Sequence, residues 1–110
     1  MAGYESVIIL KPTIDEDTKN KKIKKYEEFI GKLTNDEVKT QDLGKKTLAY
    51  DVKNNKEGYF AVFNFKCNSR ELSQIEDKYR KDEDVIKFMD IRQDERFDEY
   101  EDSEEDEEEM

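Results

Sequence analysis

The stretch EGYFAVFNFKC, residues 57 to 67, limits the possible folds of this chain more than any other. Extended backbone sends successive side chains to opposite faces. Tyr59, Ala61, Phe63, Phe65 and Cys67 therefore share one almost wholly apolar face, and Phe60, Val62, Asn64 and Lys66 share the other. The first face requires a covering layer of helices. On the second face, Phe60 and Val62 stand on a side that is otherwise wet, and two readings remain open: ordinary exposed apolar residues, or a partner-binding patch. The stretch also begins like a base-stacking strand, which reads basic, Gly, aromatic, small, aromatic, aliphatic, any, aromatic. That register breaks here, because Glu57 takes the basic place, Phe60 the small one, and Ala61 and Asn64 the places of rings.

The material for a core is modest. With 110 residues, 34% hydrophobic and 45% charged, the chain supports one domain. A single cysteine excludes an internal disulfide, and Cys67 is expected in the core. There is no signal-peptide pattern and no apolar run of membrane-spanning length, so a cytoplasmic setting without membrane contact is expected. Histidine is absent, which removes the commonest general base and the commonest metal ligand and leaves Cys67 without an imidazole to activate it. No catalytic residues, metal site or cofactor are expected, and no small-molecule substrate.

The net charge of −10 is unevenly placed. Residues 93 to 110 hold 12 of the 30 acids and, among the bases, only Arg96, leaving 19 bases against 18 acids in residues 1 to 92. The chain thus divides into a nearly neutral domain, residues 1–96, and an acidic tail, residues 97–110. A run of like charges cannot offset its ordering entropy by burying apolar surface, so the tail is expected to be disordered.

Periodicity gives six elements. YESVIIL, residues 4 to 10, is a strand that stops at Lys11-Pro12. Thr13 and Glu16 offer a capping box, after which Ile23, Tyr26, Ile30 and Leu33 recur at helical spacing. Residues 37 to 52 form a long strand in which Gly44 marks a bulge or bend, and residues 53 to 58 form a turn into the aromatic strand. A second helix, capped by Asn68 or Ser69, carries Leu72, Ile75 and Tyr79, and VIKFMDI, residues 85 to 91, is a last strand. The order β-α-β-β-α-β predicts an α+β, ferredoxin-like fold: a four-stranded antiparallel sheet with two helices on one face and the other face open.

That fold hosts many activities, so particular residues must decide. An acyl-phosphate hydrolase needs a glycine-rich, arginine-bearing loop after the first strand, where this chain has KPTIDED. No GxGxxG or P-loop is present, and the acidic tail lacks the spacing of a calcium loop.

YESVIILKP at the start, LGKKTLAYDVKNNKEGYFAVFNF through the centre and VIKFMDI at the end together resemble the family of the sixth protein of the bacterial small ribosomal subunit. The match is collinear over roughly residues 3 to 92, and LGKKTLAY followed by GYF is its most specific part. The resemblance implies an RNA-associated structural protein that binds the central domain of small-subunit ribosomal RNA as a heterodimer with ribosomal protein S-eighteen. It would make Phe60 and Val62, with Val7 and Ile9 of the first strand, the partner-binding residues, although β-propensity alone accounts equally simply for Val7 and Ile9. The matching basic positions for RNA are Lys45, Lys46, Arg80, Lys87 and Arg92; each can neutralise a phosphate, and each is also the kind of residue that merely solubilises. Two departures count against strong RNA affinity. The family commonly has arginines where this chain has Ala2-Gly3, and a second basic residue where it has Ile86. The ending EEDEEEM resembles the glutamate-rich extensions of some members, apart from Met110, and would either suppress non-specific RNA binding or hold a basic partner. The competing reading is a ferredoxin-like regulatory or interaction module whose open sheet takes a small ligand or a non-ribosomal partner.

Overall fold

The computed structural model describes residues 2–93. Its elements are β1 (Ala2–Leu10), α1 (Glu16–Thr34), β2 (Lys39–Val52), β3 (Asn55–Cys67), α2 (Ser69–Arg80) and β4 (Val85–Gln93). The strands form one antiparallel sheet in the order β2-β3-β1-β4. Both helices cover one face, as the order of elements predicts. The boundary at 96/97 and the acidic tail lie outside the described residues.

Register explains how the aromatic strand finds its layer. Opposite residues of an antiparallel pair share a face, and Ser6, Ile8 and Leu10 lie across from Phe63, Ala61 and Tyr59. This face meets Ile23, Tyr26 and Ile30 of α1 and Ile75 and Tyr79 of α2. Tyr26 and Tyr79 close the gap between the helices edge to face, with ring centres 5.2 Å apart. Each phenol needs a partner once buried. Tyr79 exchanges a 2.8 Å hydrogen bond with Ser6 Oγ, and Tyr26 Oη donates to Asp82 Oδ2 at 2.6 Å. Asp82 also accepts from Lys22 Nζ and from the Asp84 N–H, so one carboxylate ties α1 to the link before β4. Burial alone would raise the Asp82 carboxyl, but the donors from Tyr26, the Asp84 backbone and Lys22 hold it below its ordinary value. Cys67 is in the core as expected, and burial pushes its thiol up to about 11.

Three local details differ from the sequence expectation. Helix α1 is capped by Asp15, whose side chain accepts from the Thr18 N–H at 2.7 Å, so Thr13 and Glu16 form no capping box. Thr13 falls in the turn that follows Pro12, too early to reach the first free N–H groups of the helix. Asn68 rather than Ser69 caps α2, and there a reciprocal box with Glu71 does form. The β2–β3 turn is two residues, Lys53 and Asn54, both left-handed, so β3 begins at Asn55 rather than after residue 58. Paired left-handed residues match the twist of a tight hairpin, which is why the strands run closer to the turn than its polar sequence implies.

Two glycines are structural. Gly44, at φ 78°, sits where β2 slips register against β3, the bulge its position anticipated. At Gly58 an added Cβ would lie 2.5 Å from Ile9 Cγ2 and 2.9 Å from the Leu10 carbonyl oxygen. The Ile9 side chain thus packs over Gly58, which decides what the open face presents.

Candidate nucleic-acid interface

The tip of the β2–β3 hairpin, the end of α2 and the start of β4 converge on a cleft of about 340 Å³. Lys53, Arg80 and Lys87 line it with Tyr79, Val85, Ile86 and Phe88, and among the described residues no acidic side chain takes part in the lining. Lys53 reaches this position from a left-handed turn residue, where a β-carbon is unfavourable and glycine or asparagine is the usual choice. Arg80 ends α2 with its guanidinium 5.5 Å from the Phe88 ring centre; Asp77 at 2.9 Å and Glu76 at 3.5 Å share its charge. Lys53 and Lys87 are therefore the less neutralised cations of the cleft.

Lys87 also reaches the hairpin. Its ammonium donates to Tyr50 Oη at 3.0 Å and lies 5.1 Å from the ring centre. That donated hydrogen bond, followed by the positive charge, lowers the Tyr50 hydroxyl below its ordinary value. Tyr50 occupies the stretch between the register pairs Thr47↔Glu57 and Val52↔Asn55, where β2 has no one-to-one partner, and its residue is 64% exposed. An irregular stretch of this kind turns a side chain away from the position the regular ladder would give it.

The structure brings together two of the five basic residues picked from sequence, Arg80 and Lys87, and leaves the others apart. Lys45 lies across from Tyr59 on the helix-covered face, 5.1 Å from that ring and 3.7 Å from a Glu57 oxygen. Lys46 lies across from Gly58 and so belongs to the open face. Arg92 lies across from Tyr4, and Lys87 across from Ile9; the two are on opposite faces of β4 and about 16 Å apart along it. Lys53 and Tyr50 were missed. Lys53 reads as one more turn lysine because its backbone conformation leaves no mark in the sequence. Tyr50 lies within LGKKTLAY, where it served as a family marker rather than as a chemical group.

A second basic groove, of about 460 Å³, runs between the helices and is lined by Lys22, Lys25, Lys78 and Lys81. Asp82 and Glu83 line it too, and Lys22 is already paired with Asp82 and Asp84, so it offers less free positive charge than the hairpin cleft.

The open face presents a different set of apolar side chains from the one named above. Ile9 and Val62 are only 3% and 4% exposed, Ile9 because it lies against Gly58. Val7 and Phe60 are half-buried, while Met89, across from Val7, and Ile91, across from Glu5, are exposed. Leu43, in the β2 bulge, is exposed as well. Among the described residues no group of three or more His, Cys, Asp or Glu is placed to hold a metal ion, and no described helix is long and apolar enough to cross a membrane.

Comparison with known proteins agrees across the whole described domain. A family model described as ribosomal protein S6 matches residues 3–92. The small ribosomal subunit protein bS6 of Helicobacter pylori (strain Shi470) is 39% identical over 92 residues, which are 84% of this chain and 65% of that protein. The chain therefore spans about two thirds of the length of such relatives. The bS6 of Flavobacterium johnsoniae is 34% identical over 91 residues, 83% of this chain and 80% of its own. In structure, the chain is similar to 30S ribosomal protein S6 from Thermotoga maritima, with a TM-score of 0.78 and 25% identity over 84% of this chain and 87% of that one.

Proposed function

The chain belongs to the ribosomal protein S6 family, a structural family of the small subunit, and on that premise we propose that it is a structural constituent of the ribosome. In this reading it binds the central domain of small-subunit ribosomal RNA in the cytoplasm, together with ribosomal protein S-eighteen, and performs no catalysis. The observation that carries the reading is the collinear family match over residues 3–92. Two physical features support it. The cleft of Lys53, Arg80 and Lys87 offers positive charge of which only that of Arg80 is paired with acids among the described residues, which suits a phosphate backbone. The open sheet face has an apolar centre, with Met89 and Ile91 exposed beside half-buried Val7 and Phe60, which suits a protein partner more than RNA.

Each protein would contribute part of one composite surface for a folded RNA junction, recognised largely by shape. Ile9 and Val62 would act beneath that surface by holding Phe60 and Val7 in place. The test is binding of the full chain to a central-domain RNA fragment, with and without ribosomal protein S-eighteen, over a salt series. Tight, salt-sensitive binding only when both proteins are present is expected. Absence of binding under both conditions, with folded proteins, would overturn the reading.

A further inference from the structure

We propose that Tyr50 and the Lys53–Arg80–Lys87 cleft form a site for one unpaired RNA nucleotide, its base stacked on the Tyr50 ring and its phosphate in the cleft. The site is a more specific form of the RNA-binding reading and rests on it.

Three features converge here. An amphipathic ring is left 64% exposed, and its hydroxyl end is held by Lys87, so the ring is oriented without being covered. The same lysine lines the neighbouring cleft, so ring and cleft are one continuous surface. A left-handed lysine at the hairpin tip completes the cleft, and a side chain kept in an unfavourable conformation at such a place points to use rather than to packing.

The combination selects the ligand. Every base has a face to stack, and a neighbouring phosphate supplies the anion, so stacking and charge together fit a single-stranded segment. A duplex presents its phosphates but keeps its bases stacked within the helix. An acidic peptide would satisfy the lysines and have no use for the ring. The site is distinct from strand β3, whose rings lie mostly under the helices.

The experiment uses the full chain and a hexaadenylate carrying one 2-aminopurine, followed by fluorescence quenching at several salt concentrations. The wild-type chain is expected to quench the probe. Tyr50→Leu should bind about tenfold more weakly and lose the quenching, while Tyr50→Phe keeps both, since the stacking face survives. Lys53→Gln should retain quenching at saturation and reduce the slope of log affinity against log salt by about 0.7, the value for one phosphate contact on a single strand.

Unchanged affinity and quenching in Tyr50→Leu would overturn the proposal. So would equal affinity for a duplex of the same length, or displacement of the probe by oligoglutamate that binds Tyr50→Leu as tightly as wild type. If the hexanucleotide fails while the central-domain fragment still binds, this site is wrong and the ribosomal reading stands. If the hexanucleotide fails and the central-domain fragment also fails with ribosomal protein S-eighteen present, the ribosomal reading falls with it.

Discussion

Replacing Glu76 by glutamine should stabilise the protein, by an amount that grows as pH rises from about 4.5 to about 7. Asp90 points from β4 toward the helices, across from Ser6, and both its carboxylate oxygens are shielded from solvent without a hydrogen-bond partner among the described residues. Glu76 of α2 is the carboxyl that faces it. A proton on Glu76 can be given to Asp90, and this hydrogen bond, followed by burial and the Asp90 charge, raises Glu76 to about 7 from 4.5, against the opposing pull of Arg80. The folded state therefore holds that proton more tightly than the unfolded chain does. The associated stability is complete below about pH 4.5 and is lost as pH rises through about 7. The full shift would correspond to about 3 kcal/mol. Glu76 is 25% exposed and has Arg80 at 3.5 Å, so screening reduces the expected effect to about 1–2 kcal/mol. Glutamine supplies a permanent donor with no charge to repel Asp90. Urea unfolding at a series of pH values from roughly 4.5 to 8 should show Glu76→Gln near wild type at the acid end and about 1–2 kcal/mol more stable at the alkaline end. An equal loss of stability at both ends would refute the shared proton and leave Glu76 as a simple partner of Arg80.

Other substitutions separate packing from binding. Gly58→Ala should cost about 2 kcal/mol or more in urea unfolding, since its Cβ would meet both Ile9 and the Leu10 backbone; a neutral result would mean that the two strands can separate there at no cost. Lys53→Asn should raise stability by a few tenths of a kcal/mol or more by easing the left-handed turn, and at the same time weaken RNA binding; a gain in both would remove Lys53 from the interface. Ile91→Ser should leave the unfolding midpoint within about 0.5 kcal/mol of wild type yet weaken binding of ribosomal protein S-eighteen in calorimetry, whereas Val62→Ala should lose about 1–2 kcal/mol of stability through the cavity it leaves.

The fold was legible because its strongest signals are local and mutually consistent. Alternation in 57–67 and the helical spacing of Ile23, Tyr26 and Ile30 each identify a buried face, and the structure buries those faces against one another. The Gly44 bulge was also readable, since glycine within a strand has few other uses. The cap of α1 was not. Thr13 and Asp15 are both good capping residues, and the choice between them depends on the turn geometry after Pro12.

The interface was less legible for a different reason. Lysines are spread along the chain, and only register shows that Lys45 and Lys46 leave opposite faces while Lys53 comes to lie beside Arg80 and Lys87. Exposure on the open face was equally hidden. Ile9 and Val62 look as available as Met89 and Ile91 in sequence, and it is the side chain missing at Gly58 that lets Ile9 sink.

Among the described residues, strand β4 is one border of the sheet, with β1 as its neighbour. A border strand with free N–H and C=O groups invites another chain to align along it. Here an incoming strand would have to set a side chain beside the shielded carboxylate of Asp90, and a second one beside the ammonium of Lys87. A buried charge and an ammonium on this strand would thus both have to be accommodated by any chain that extended the sheet there. At the opposite border, the bulge at Gly44 and the irregular stretch around Tyr50 break the straight ladder that a stacking copy would need.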